Sequence, residues 1–307
     1  MRSKYFRLFL SIILGIICFV LLLFKINLSQ TWEILKQANW RFLVLCAALN
    51  IGVIYLKAER WRLIVSTFIP LERLPSFCLT TLAFWGNTIL PMRAGDFGRG
   101  FYLIKRKLNW GTGLSTVAVD RFMDSLGLIS LVLPFYFNDT LPLFLKKGLF
   151  WLTVVMCISL IIIWNPLKQI KTETLATTHP LLSWLSAITE GFKSLTEPKV
   201  LIATYFLSIA SWLTQIYILV FTAKALNVYL SFSEATIVLL GLNLALLLPN
   251  PPANLGLFHA AIVLVMGFLN FSENQAMAVA VVYHAIQTLT VAVLGLTFNI
   301  LESKILD

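Results

Sequence analysis

The sequence predicts an all-α polytopic membrane protein, and three observations carry that prediction. Of its 307 residues, 59% are hydrophobic and only 12% are charged, about half the charged share of an ordinary soluble domain. Residues 8–24, 148–167, 200–223 and 274–301 each run without Lys, Arg, Asp or Glu, and about 20 apolar residues suffice to cross a hydrocarbon core of about 30 Å. These runs also lack the ten-residue inside/outside rhythm of an outer-membrane barrel. They are therefore helices, whose backbone polar groups satisfy one another inside hydrocarbon. The longest segment able to sit outside the bilayer, 165–199, is too short for a soluble catalytic domain.

Taken in order, the elements are about six spanning helices and two re-entrant helical hairpins, forming one integral domain over 1–307. A first span covers 6–24. Arg2, Lys4 and Arg7 precede its uncharged run, 8–24, but no small-residue cleavage site follows, so it reads as a retained helix and not a signal peptide. A second span, 42–65, ends in Lys57, Glu59, Arg60 and Arg62, which are expected to snorkel toward the interface. The uncharged stretch 74–92 is bounded by Pro75 and Pro91 and has basic residues on both flanks, so it is expected to dip into the membrane and return. Spans over 113–137, 148–164 and 200–221 follow, and the connection 165–199, with Lys168, Lys171, Lys193 and Lys199, belongs inside. Residues 235–272 carry no charge and are broken by Pro249, Pro251 and Pro252, which predicts a second hairpin with a descending and a returning half. The last span is 276–301.

This topology puts both termini in the cytoplasm and most of the 24 Lys and Arg on that side, as the positive-inside rule requires of a protein of the cell's inner membrane. It also makes 1–137 and 141–301 an inverted repeat, each half holding two spans, a hairpin and a span. Hydrophobic segments interrupted by Pro and Gly at matching positions of two halves point to a binding site at the midplane. The formal charge of +10 is accounted for by basic cytoplasmic loops facing anionic headgroups, so nucleic acid is not an expected partner. Cys18, Cys46, Cys78 and Cys157 stand singly in apolar segments and are expected to be packed thiols. Trp32, Trp40, Trp61 and Trp110 suit interfacial anchoring.

The candidate site begins with residues that are expensive where they sit. Asp120, Arg121 and Asp124 lie near the start of an otherwise apolar helix, where each charge costs about 2.5–3.5 kcal/mol at the helix centre. Asp120 and Asp124 are four apart and share a face, and Arg93, Asp96 and Arg99 on the first hairpin are the expected partners. Arg93, Arg99 and Arg121 held by Asp96, Asp120 and Asp124 would present guanidinium forks to a phosphate. The competing reading is an ion-pair network that only pins the hairpin to the helix. The neutral second hairpin, with Asn254 at its tip, would bind a headgroup through amides and backbone, or serve as a stiff turn. His259 and His284 beside it would relay a proton or contact phosphate, or stand as ordinary core histidines. There is no G-x-x-x-x-G-K-[ST] loop, H-E-x-x-H helix or G-x-S-x-G elbow, so no cofactor, metal or catalytic site is expected.

Together these residues form a pattern. Asn87-x-x-x-Pro91-x-Arg93-x-Gly95-Asp96-x-x-Arg99, then Asp120-Arg121-x-x-Asp124, then a Pro-rich hairpin leading into Gly256-Leu257-Phe258-His259, resembles the flippase-like transmembrane domain of lysylphosphatidylglycerol synthases over nearly the whole chain. The resemblance implies a domain that moves a lipid between leaflets, the best-known example translocating lysylated phosphatidylglycerol, and it adds Asn87 to the candidate site. Two departures matter. The aminoacyl-transferase domain is expected to be absent, and with it synthesis of an aminoacylated lipid. Pro251-Pro252 with Asn254, and His259 where many relatives have Glu, leave a cationic headgroup without acidic contacts. The expected function is therefore translocation of a phosphate-bearing lipid, such as a phospholipid or a polyprenyl-phosphate-linked lipid. The alternatives are an intramembrane enzyme acting on polyprenyl-phosphate or its sugar conjugates, and a non-transporting scaffold for envelope lipid synthesis. The expected partners are the membrane lipid itself and either a second copy of the chain or a lipid- or glycan-synthesis enzyme.

Overall fold

The computed structural model describes residues 28–90, 94–136, 142–164, 190–248 and 252–306. The first span expected from the sequence, 6–24, lies outside the described residues, as do Arg93 and most of the connection 165–199. Among the described residues every regular element is a helix.

A short amphipathic helix, α1 (Leu28–Lys36), leads into α2 (Trp40–Val65). Asn39 starts α2 by accepting a hydrogen bond from the Arg41 amide, which satisfies one of the donors a helix start leaves open. At 26 residues α2 is about 39 Å long. The 28-residue α7 (Pro198–Ala225) is longer still and opens on Pro198, where a missing amide hydrogen does no harm. α2 and α7 lie against each other along most of their lengths, with Phe42 stacked on Phe221 at 6.0 Å and the Asn39 amide bonded to the Ala225 carbonyl at 2.8 Å. Together with α10 (Glu273–Leu306), they are long and apolar enough to cross a membrane.

Between these long helices stand two helical hairpins. In the first, α3 (Arg73–Ile89) is followed by α4 (Asp96–Lys105). The hairpin thus reaches past the 74–92 expected from sequence, because the returning limb is a separate, charged and amphipathic helix. In the second, α8 (Phe232–Ala245) and α9 (Leu257–Phe268) pack on each other. A full capping box at Ser231 and Glu234 fixes the start of α8. At 14 and 12 residues, α8 and α9 are about 21 and 18 Å long, short of a hydrocarbon thickness of about 30 Å. α5 (Trp110–Val132) joins the first hairpin to the core, and α6 (Leu143–Trp164) borders it from outside. The expected spans 113–137 and 148–164 thus correspond to α5 and α6, each beginning a few residues earlier. Most of the buried apolar side chains form one cluster shared by α2 and α5 to α10.

Three of the four tryptophans expected at the interface, Trp32, Trp40 and Trp110, are exposed. Trp61 is not. It is fully buried, with its indole nitrogen donating to Thr116 at 3.3 Å, because α3 and α4 close over that end of α2. Cys46 and Cys78 are packed thiols, while Cys157 is exposed on α6.

Candidate functional site

α5 delivers Asp120, Arg121 and Asp124 to the centre of the helix assembly, and α2 and α4 bring cations to them. Arg60 Nε donates to Asp120 at 2.7 Å, and its Nη1 donates to Asp124 at 2.8 Å and to the Ser208 hydroxyl at 3.0 Å. Lys57 Nζ donates to both Asp124 oxygens at 3.0 Å. Arg99 Nη2 reaches the other oxygen of Asp120 at 3.2 Å and approaches Asp96 at 3.5 Å. Arg121 Nη2 donates to Asp96 at 2.7 Å. Trp212 of α7 ties off the network by donating to the Asp124 carbonyl at 2.7 Å.

Arg99 with Asp120 and Arg121 with Asp96 pair within the set the sequence suggested, whereas Asp124 is held by Lys57 and Arg60 instead. The assignment of Lys57 and Arg60 to the interface is corrected. Arg60 is fully buried and Lys57 nearly so, because leaving Asp120 and Asp124 unpaired inside the protein would cost far more than bringing in two cations. Spacing sorts these charges onto two faces without saying which face is buried. Lys57 and Arg60 are three apart and share a face, whereas Glu59 and Arg62 on the opposite face pair with each other at 2.6 Å.

Two cavities meet at this network. The first, about 200 Å³, is lined by Lys57, Asn87, Arg121, Asp124, Asn254 and His284 among others. The second, about 480 Å³, is bordered by Asp96 but is otherwise mostly apolar, with Leu114, Val117, Leu240 and Leu244 in its wall. Arg121, Asp124, Trp212, Asn243 and Leu246 belong to both walls. Asn87 at the end of α3 and Asn254 in the turn before α9 place the tips of both hairpins at the polar cavity. Asn87 also accepts a hydrogen bond from the Asp96 amide at 3.2 Å, so it orients the start of α4 as well as facing the cavity.

The remaining candidates are distributed more widely than the sequence suggested. Arg99 lines neither cavity. It is buried under α3, with its guanidinium over Trp61 at 5.0 Å and over Phe84 at 5.9 Å, so its role is to hold Asp120. Arg121 is the guanidinium that faces the open space, with its side chain 28% exposed. His284 lines the polar cavity and stacks on Phe258 at 4.5 Å. His259 sits behind it, 5.0 Å away between ring centres, with Nδ1 unpartnered. Arg93 lies outside the described residues. No group of three or more His, Cys, Asp or Glu able to hold a metal occurs among the described residues.

The profile of the lysylphosphatidylglycerol synthase transmembrane region matches residues 8–295. The chain belongs to that family. The family match spans the whole candidate site, from Lys57 to His284, and agrees with the three helices long and apolar enough to cross a membrane among the described residues. Among relatives, a UPF0104 membrane protein of Methanothermobacter thermautotrophicus is 24% identical over 97% of this chain and 92% of its own length. No solved structure matches the chain. Membership in the lysylphosphatidylglycerol synthase transmembrane family makes this an integral membrane protein of a lipid-related group.

Proposed function

We propose that the protein binds a phosphate-bearing lipid at Arg121 and carries its headgroup between the leaflets of the cell's inner membrane, with both hairpins re-entrant. The observation that carries this reading is the meeting of a polar and a mostly apolar cavity at Arg121 and Asp124, a division that matches a headgroup and its tail. Charge agrees with it. The described network sets Lys57, Arg60, Arg99 and Arg121 against Asp96, Asp120 and Asp124, one cation more than its carboxylates. An anion entering beside Arg121 would neutralise that surplus in a setting where an uncompensated charge is costly. Nε of Arg121 has no partner, so the guanidinium has capacity left for a second fork-like contact. Each carboxylate in the network is already held by cations, which favours binding and transport over acid/base catalysis.

The reading is tested in proteoliposomes with fluorescently labelled anionic phospholipid. Arg121→Gln should slow transbilayer movement about 10- to 100-fold, the effect of losing one to two charge-assisted hydrogen bonds, with protein abundance unchanged. Wild-type rates in Arg121→Gln vesicles would overturn the assignment.

A further inference from the structure

The polar cavity has a second chemical character that an anion alone does not use. Six carboxamides border it: Asn50, Asn87, Gln215, Asn243, Asn254 and Gln287. They come from α2, α3, α7, α8, the turn before α9 and α10, while α5 contributes Arg121 and Asp124 instead. The fold uses only part of their hydrogen-bonding capacity. Asn243 donates one hydrogen to the Leu239 carbonyl at 2.8 Å, and the side-chain oxygen of Asn87 accepts from Asp96. Asn50 is only 6% exposed, and its amide nitrogen has no partner. Leaving such a group unsatisfied is unfavourable, and a leucine at that position of a membrane helix would avoid it. The polar residue is explained by something polar that enters.

Three features narrow what enters. Asp124 is the one carboxylate that lines this cavity among the described residues, and its single negative charge already faces two cations, Lys57 on both oxygens and Arg60 on one, so it offers an entering ammonium no uncompensated charge. The aromatic rings that could otherwise cage a quaternary amine already face cations or rings of the protein. Lys57 lies over Trp212 at 5.1 Å, Arg121 over Phe84 at 5.6 Å, and His284 on Phe258 at 4.5 Å. Carboxamides, in contrast, both donate and accept, which is the pattern a row of hydroxyl groups presents. A volume of about 200 Å³, against about 30 Å³ for each water in the liquid, gives room for a group of several heavy atoms beyond the phosphate.

We infer that this cavity selects a lipid whose phosphate bears a neutral, hydroxyl-rich group, such as glycerol, inositol or a sugar, over one bearing phosphate alone or an amine. The inference rests on the anion reading at Arg121 and specifies what lies beyond the anion.

The test uses the full chain in phosphatidylcholine nanodiscs, with binding of acyl-matched phosphatidylinositol, phosphatidylglycerol, phosphatidic acid and phosphatidylethanolamine measured side by side. Phosphatidylinositol and phosphatidylglycerol should bind about tenfold more tightly than the other two, the ratio that one or two net hydrogen bonds give. Asn50→Leu should bring the ratio of phosphatidylinositol to phosphatidic acid affinity toward one. Gln215→Met, with less burial at stake, provides the same readout if Asn50→Leu does not fold. Equal binding of phosphatidic acid and phosphatidylinositol, tighter binding of the amine lipid, or an unchanged ratio in both variants overturns the hydroxyl selection. If instead no anionic lipid binds better than phosphatidylethanolamine to the wild type, the anion reading itself fails.

Discussion

Asp120 accepts from two different guanidinium groups, Arg60 on one oxygen and Arg99 on the other, and is 1% exposed. Removing its charge leaves two buried cations short of a partner, so Asp120→Ala should lower the stability of the detergent-solubilised protein by about 3–5 kcal/mol. The exposed pair Glu33–Lys36 provides the contrast, since Glu33→Gln should cost less than about 1 kcal/mol. Thermal unfolding followed by tryptophan fluorescence measures both, and equal melting temperatures for the two variants would remove the structural role given to Asp120. The same residues show what sequence made legible. Charges inside an apolar helix have to find partners, so the grouping of Asp96, Arg99, Asp120, Arg121 and Asp124 could be read directly. Lys57, Arg60 and Trp61 could not, because α2 ends in a mixed run of charges and only the packing of α3 and α4 over one face of it decides which of them are buried. Arg99 was misread for a related reason. An arginine on a polar motif resembles a ligand contact until its depth is known, and depth depends on Trp61 and Phe84 from two other elements.

The two hairpins were foreseeable as elements because Pro and Gly interrupt otherwise apolar runs. Their limbs were not equally foreseeable. α8 and α9 are mostly apolar, with Glu234 at the capped start of α8 as their one carboxylate, whereas α4, with Asp96, Arg99 and Lys105, has the composition of a surface helix, so sequence placed the whole first hairpin before it. Tip geometry depends on two glycines. A Cβ at Gly95 would strike the backbone of Ala83, Gly86 and Asn87, which lets α4 begin directly against the end of α3. Gly256 has φ 79° and follows Ala253 and Asn254, also left-handed at 53° and 56°. That bend turns the chain into α9 and holds Asn254 at the cavity. Asn tolerates this region better than most residues. Gly95→Ala should therefore cost more than Gly256→Ala, since the first requires two backbones to separate and the second only strains one residue at φ 79°, ψ −61°, a conformation rare for residues with a Cβ. Melting temperatures in one detergent compare them, and the reverse order would mean that the first hairpin does not depend on that close approach.

At the scale of the whole molecule, Asn87 of the first hairpin and Asn254 of the second line one cavity while α8 and α9 are each too short to cross the hydrocarbon, which is the arrangement the proposed re-entrant hairpins entering from opposite faces would give. An inverted repeat of 1–137 and 141–301, as the sequence predicts, would make a stricter demand. The two flanks of the first hairpin must share the cytoplasmic side with the C-terminus, and the two flanks of the second must share the other side. Glu72, Lys107, Tyr229 and Asn270 are exposed and bracket the hairpins, so each is a suitable site for a reactive cysteine once Cys18 and the exposed Cys157 are replaced by serine, Cys46 and Cys78 being buried. A membrane-impermeant thiol reagent added to right-side-out vesicles should label Tyr229→Cys and Asn270→Cys, and should reach Glu72→Cys and Lys107→Cys only after the vesicles are opened. The pairing within each hairpin matters more than the side. If Glu72→Cys and Lys107→Cys are labelled from different compartments, the first hairpin is a full crossing. α4 would then emerge on the face opposite α3, Asp96 could not remain beside Arg121, and the junction of the two cavities would lose one of its walls.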